Sequence, residues 1–113
     1  MAEQLDLSQL RESAGKACSL LRLLANEDRL MLLCQLSQRE SNVGNLETLT
    51  GIRQPTLSQQ LGVLRREGLV STRREGKQIY YSLHHAAAAR VLETLYGIYC
   101  DSSCHPSLNE ETA

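Results

Sequence analysis

Apolar residues recur every three or four positions over most of the chain, a spacing that gives way to alternation only near residue 70. From Leu7 to Ala25, the positions Leu7, Leu10, Ala14, Ala17, Cys18, Leu21 and Leu24 predict an amphipathic helix, and Leu20 and Leu23 widen its apolar stripe. A helix apolar round more than half its circumference needs two partners, its own domain and a second subunit. A second helix is expected over about Glu27 to Gln38, capped by Asn26 or Asp28, with Leu30, Leu32, Leu33 and Leu36 around Cys34 and a break at Ser41-Asn42. Val43 to Thr50 reads as a short third helix with Leu46 and Leu49 facing inward and Gly51 ending it.

The stretch GIRQPTLSQQLGVLRREG (51–68) carries the most specific pattern. Pro55 suits a helix start, and Leu57, Leu61 and Leu64 fall on one face of a helix spanning about 55–67. Thr56, Ser58, Gln59 and Gln60 lie mostly on the other faces, with no Glu/Lys pairs of the kind that decorate a solvated helix. Short hydrogen-bonding groups above an apolar base suit the reading of base edges in a major groove, where Gln pairs with adenine and Ser or Thr with several bases. Together the third and fourth helices predict a helix-turn-helix. Leu69–Arg74 and Gln78–Leu83 then alternate as two short strands around Glu75-Gly76-Lys77, a hairpin wing with basic residues at its tip. A last helix, about Ala86 to Cys100, has Ala88, Val91, Leu92, Leu95, Tyr96 and Tyr99 on a broad apolar side, so the first and last helices are expected to form a dimerisation layer.

Composition refines this picture. The 113 residues suffice for one domain with a core of Leu, Ile, Val and Ala, since Trp and Phe are missing. We expect residues 1–106 to form a single winged-helix unit and 107–113 a polar, mobile tail. Neither an export signal nor a run of eighteen apolar residues occurs, which predicts a cytoplasmic protein with no membrane association. The net charge of −1 argues against nucleic acid, but its distribution does not. Between Arg53 and Lys77, six basic residues against two acidic ones leave a local balance of +4, while Glu3, Asp6, Glu12, Asp101, Glu110 and Glu111 gather towards the ends. Candidate DNA-contacting residues are Gln54, Thr56, Ser58, Gln59, Gln60 and Arg65 of the helix-turn-helix, and Arg73, Arg74, Lys77 and Gln78 of the wing.

The order helix, helix, helix-turn-helix, wing, helix resembles the ArsR/SmtB family of small dimeric winged-helix repressors. The stretches that carry the likeness are LANEDRLMLLCQL (24–36), GIRQPTLSQQLGVLRREGLVSTRREGKQIYYSL (51–83) and LYGIYC (95–100). Within the family it looks most like the sulfide- and persulfide-responsive branch, of BigR or SqrR type, which combines such a recognition helix with one cysteine in the second helix and one at the end of the last. Those positions are Cys34 and Cys100 here. The resemblance implies a homodimer that binds an imperfectly palindromic operator and releases it when reactive sulfur species link Cys34 to Cys100 through a disulfide or a polysulfide bridge.

The sequence departs from the metal-sensing relatives. Asn45-Leu46-Glu47-Thr48-Leu49 has no Cys-x-Cys pair, and His84 and His85 lack the partner three turns on, so they read as strand-end and capping residues and no metal or other cofactor is expected. Two other inducers stay open: a metal held by Cys34, Cys100, Cys104 and His105, or a peroxide that forms a simple disulfide. Residue by residue, Cys34 among leucines is by default an inert core thiol, Cys18 belongs to the apolar face of the first helix, and Cys104 is either a competing thiol or a bystander. A thiol oxidoreductase is excluded by the lack of strand-helix alternation and of Cys-x-x-Cys spacing, so no enzyme activity is expected.

Overall fold

The computed structural model describes residues 6–99. Their order is α1 (Leu7–Leu24), α2 (Glu27–Gln38), β1 (Ser41–Asn42), α3 (Val43–Thr50), α4 (Thr56–Arg66), β2 (Val70–Glu75), β3 (Gln78–Leu83) and α5 (Ala86–Tyr99). The mainly helical winged-helix expectation holds, with five helices and the wing where the periodicity put them. Cys100, Cys104, His105 and the tail lie outside the described residues.

Capping explains where most helices start. The Asp6 carboxylate accepts from the Gln9 amide at 2.8 Å and from the Ser8 hydroxyl at 3.1 Å, and these bonds, the backbone one first, hold its pKa below the ordinary value. Of the two candidate caps for α2, Asn26 serves: its Oδ1 accepts from the Arg29 amide at 3.0 Å. Asn42 caps α3 in the same way, at 2.8 Å from the Asn45 amide. The end of α4 is a paired closure in which the Gly68 amide bonds to the Arg65 carbonyl at 3.1 Å and the Leu69 amide to the Leu64 carbonyl at 2.9 Å. This Schellman arrangement requires the left-handed backbone that Gly68 adopts, at φ 81°.

Ser41-Asn42 does more than break α2. It forms a strand that pairs with β3 through Ser41↔Tyr81 and Asn42↔Tyr80, so the sheet has three antiparallel strands in the order β1-β3-β2 and not the two expected. The wing is thereby joined to the residues that open the helix-turn-helix, since Asn42 is both the last residue of β1 and the cap of α3.

One core unites these parts. Leu32, Leu33 and Leu36 of α2 meet Leu46 of α3, Leu57, Leu61 and Leu64 of α4, Leu69 and Val70 entering the wing, and Ala88 and Leu92 of α5. In contrast, α1 buries only Leu24, while Leu20 and Leu23 are partly covered. Leu7, Leu10 and Leu21 on α1 and Tyr96 and Tyr99 on α5 remain exposed in the single chain. Among the described residues no helix is long and apolar enough to cross a membrane.

Candidate nucleic-acid interface

The turn between α3 and α4 is built from short polar bonds. Thr50 Oγ1 donates to the Leu46 carbonyl at 2.6 Å and accepts from the Ile52 amide at 3.2 Å, and Gly51, in the left-handed region at φ 77°, bends the chain away from α3. Ile52 is buried and anchors the turn. Pro55 precedes α4 and has no polar side chain with which to cap it. Gln54 supplies the cap instead, its Oε1 accepting from the Ser58 amide at 3.0 Å.

Leu57, Leu61 and Leu64 seat α4 on the core with almost no exposure. Opposite them, Ser58, Gln59, Gly62, Arg65 and Arg66 are exposed and form one continuous face at helical spacing, while Thr56 is half-buried at the first turn. The Gln59 side chain is exposed and makes no intramolecular hydrogen bond among the described residues. Gln60, one position round the helix, is half-buried, and its Oε1 accepts from Arg29 Nη1 at 3.0 Å.

In the wing, β2 and β3 pair from Val70↔Leu83 to Glu75↔Gln78, which leaves Gly76-Lys77 as a two-residue tip. Residues 73 to 78 are all exposed. Arg73 is nevertheless fully engaged: Nε and Nη2 hold both carboxylate oxygens of Glu40 at 2.8 and 2.9 Å, Nη1 holds Glu75 at 3.0 Å, and the guanidinium lies 4.8 Å from the Tyr80 ring centre. The hydrogen bonds to Glu40 and then Glu75 push the Arg73 pKa up, and the same Arg73 hydrogen bonds hold Glu40 below the usual carboxylate range. Arg74 and Lys77, by contrast, have no acidic partner among the described residues.

Of the ten residues proposed from sequence to meet DNA, seven stand with their side chains unengaged or outward and three (Gln54, Gln60 and Arg73) hold parts of the protein together. Sequence reasoning passed over Arg29 and Glu40. The former has a signal in hindsight, since a cation in the first turn of a helix opposes the local dipole and points to a different job. Glu40 has none, because its partner is 33 residues away.

Cys34 lies on α2 where it faces α5. It is half-buried, lines one cleft with Leu92, Glu93 and Tyr96, and lines a second, apolar one with Leu30, Leu95, Tyr96 and Tyr99. Cys18, expected to pack, is exposed on α1 in the single chain. His85 Nδ1 accepts from the Ala88 amide at 3.1 Å and so starts α5, as a capping residue would. Among the described residues no three His, Cys, Asp or Glu side chains cluster as metal ligands.

A helix-turn-helix with a polar outward face, flanked by a basic antiparallel wing, is the architecture of a winged-helix DNA-binding regulator. Comparison with known proteins makes the assignment narrower. The profile of the bacterial regulatory protein, arsR family, matches residues 26–72, and the chain belongs to that family. It is 53% identical over 97 residues to the biofilm growth-associated repressor of Agrobacterium fabrum, covering 86% of this chain and 83% of that one. Among solved structures it is similar to the transcriptional repressor BigR from Xylella fastidiosa (48% identity, TM-score 0.78, 85% of this chain and 98% of that one). Reduced HlyU from Vibrio cholerae is similar as well (39% identity, TM-score 0.80, 84% and 100% covered).

Proposed function

We propose that the protein is a homodimeric transcriptional repressor, of BigR type, that releases its operator when reactive sulfur species join Cys34 to Cys100. The reading rests on one observation above all: Cys34 shares an apolar cleft with Leu95, Tyr96 and Tyr99, the last turn of α5, and the next residue in the chain is Cys100. A relative solved in a form described as reduced HlyU, and relatives named as repressors, support it. The exposed apolar residues of α1 and α5 support a second copy as their cover. Two α4 helices about 34–36 Å apart then enter successive major grooves.

The chemistry balances without a metal. A thiolate attacks a sulfane sulfur of hydrogen polysulfide, forming a cysteine persulfide and releasing a polysulfide one sulfur shorter. The second thiol displaces hydrogen sulfide from that persulfide to give the disulfide, so two thiols are oxidised and one sulfane sulfur is reduced. If a further polysulfide is reduced in place of that displacement, the extra sulfur stays in the bridge. A direct disulfide needs Cα atoms about 4.4–6.8 Å apart, and inserted sulfurs relax the limit. Tying α2 to the end of α5 restrains the dimer layer against the core that seats α4. Moving from 99% competent to 1% takes a differential of about 5.5 kcal/mol, within reach of a covalent link.

The test is a gel shift on DNA selected from a random pool by the untreated protein, with and without polysulfide, beside intact-mass measurement of the same samples. Wild type should lose DNA and show loss of two hydrogens per bridge, plus any retained sulfur. Cys34→Ser and Cys100→Ser should bind DNA and keep it after treatment. Release by the Cys34→Ser variant would discard the pair.

A further inference from the structure

Arg29 sits in the first turn of α2 but serves three elements. Its Nε donates to the Leu23 carbonyl at 2.7 Å and its Nη2 to the Arg22 carbonyl at 3.2 Å, both in the last turn of α1, where helix geometry leaves carbonyls without partners. Its positive charge also lies where the α1 dipole is negative. The remaining arm, Nη1, holds Gln60 Oε1 of α4 at 3.0 Å. Because a guanidinium only donates, the amide orientation of Gln60 is settled: Oε1 is engaged and only its Nε2 donors are left. A bidentate contact to adenine needs both ends of the amide, so Gln60 is unable to make one while Arg29 holds it, and of the two glutamines on α4 Gln59 is left with both ends unengaged.

We propose that Arg29 is a positioning residue for DNA reading, which fixes α4 against the end of α1 by gripping two α1 carbonyls and Gln60 at once. The planar fork suits the task because it spans acceptors on two helices with one rigid group, which a lysine does not. Most of α1 lies outside the core, so this grip is a direct polar link between the helix that bears the exposed leucines and the reading helix. The inference rests on α4 being the element that enters DNA.

The experiment is a double-mutant cycle on the DNA site selected by the wild-type protein, with Arg29→Met, Gln60→Leu and the double variant, each measured for affinity, salt dependence and melting temperature. Arg29→Met should bind about tenfold more weakly with the salt slope unchanged, since Arg29 faces carbonyls and not phosphate. The double variant should be no weaker than the weaker single. Losses that multiply to about a hundredfold, a slope flattened by about 0.9, or a lowered melting temperature with full affinity would each overturn the proposal. Should Arg29→Met not fold, Arg29→Lys keeps the charge at the end of α1 and enters the same cycle. If the wild-type protein selects no DNA at all, the underlying reading of α4 falls, and this inference with it.

Discussion

Lys77 and Arg73 are both exposed cations of the wing, yet their removal should have different consequences for DNA binding. Lys77 occupies the tip with no acidic partner among the described residues, whereas Arg73 is neutralised by Glu40 and Glu75. A cation that replaces a condensed counterion on B-DNA contributes about −0.9 to the slope of log affinity against log salt. Between about 50 and 200 mM salt, a fourfold change, one such contact amounts to a factor of about 3.5. Lys77→Ala should therefore flatten the slope by about 0.9. The paired variant Glu40→Gln with Arg73→Gln removes a cation and an anion together, keeps the net charge, and should leave the slope at the wild-type value. Fluorescence anisotropy on a labelled operator at four or five salt concentrations reads both. A slope flattened in the paired variant would mean that Arg73 leaves Glu40 for phosphate in the complex; an unchanged slope in Lys77→Ala would take the tip off the DNA.

Leu61→Ala removes the middle anchor of α4, 1% exposed, and should destabilise the fold by about 2–5 kcal/mol, read as a lower denaturant midpoint with the m-value unchanged. The Glu40 carboxyl titrates below its ordinary value of 4.5 in the folded chain, so its contribution is present above that value and is lost as pH falls through the lowered one. The stability difference between wild type and Glu40→Gln should accordingly be constant at neutral pH and close in acid, and a difference that grew in acid would contradict the pairing.

Local patterns were legible because they rest on local physics. The leucine spacing of α4, the Asn26 cap of α2 and the glycine that ends α3 each depend on residues close to one another along the chain, and the structure places them as expected. The third strand was not legible, since two residues have no alternation to read and Ser41-Asn42 becomes a strand only by pairing with Tyr80 and Tyr81. The same holds for the side chains expected on DNA. Composition places Gln60 and Arg73 on polar faces, but their partners Arg29 and Glu40 are 31 and 33 residues away. A glutamine aimed at a groove and a glutamine aimed at a neighbouring helix look alike until the helices are packed. Cys34 was readable as a thiol among leucines; that it faces the last turn of α5 required the packing of α2 on α5.

In the proposed complex the outward face of α4 reads bases, with the unengaged Gln59 side chain as its reader. That role is tested most directly by measuring wild type and Gln59→Ala against the selected operator and its single-base-pair variants at one salt concentration. Wild type should discriminate at the position Gln59 contacts by about 5- to 150-fold, corresponding to about 1–3 kcal/mol. Gln59→Ala should lose that discrimination while binding non-specific DNA as before. Full discrimination retained by Gln59→Ala at every position would contradict the account.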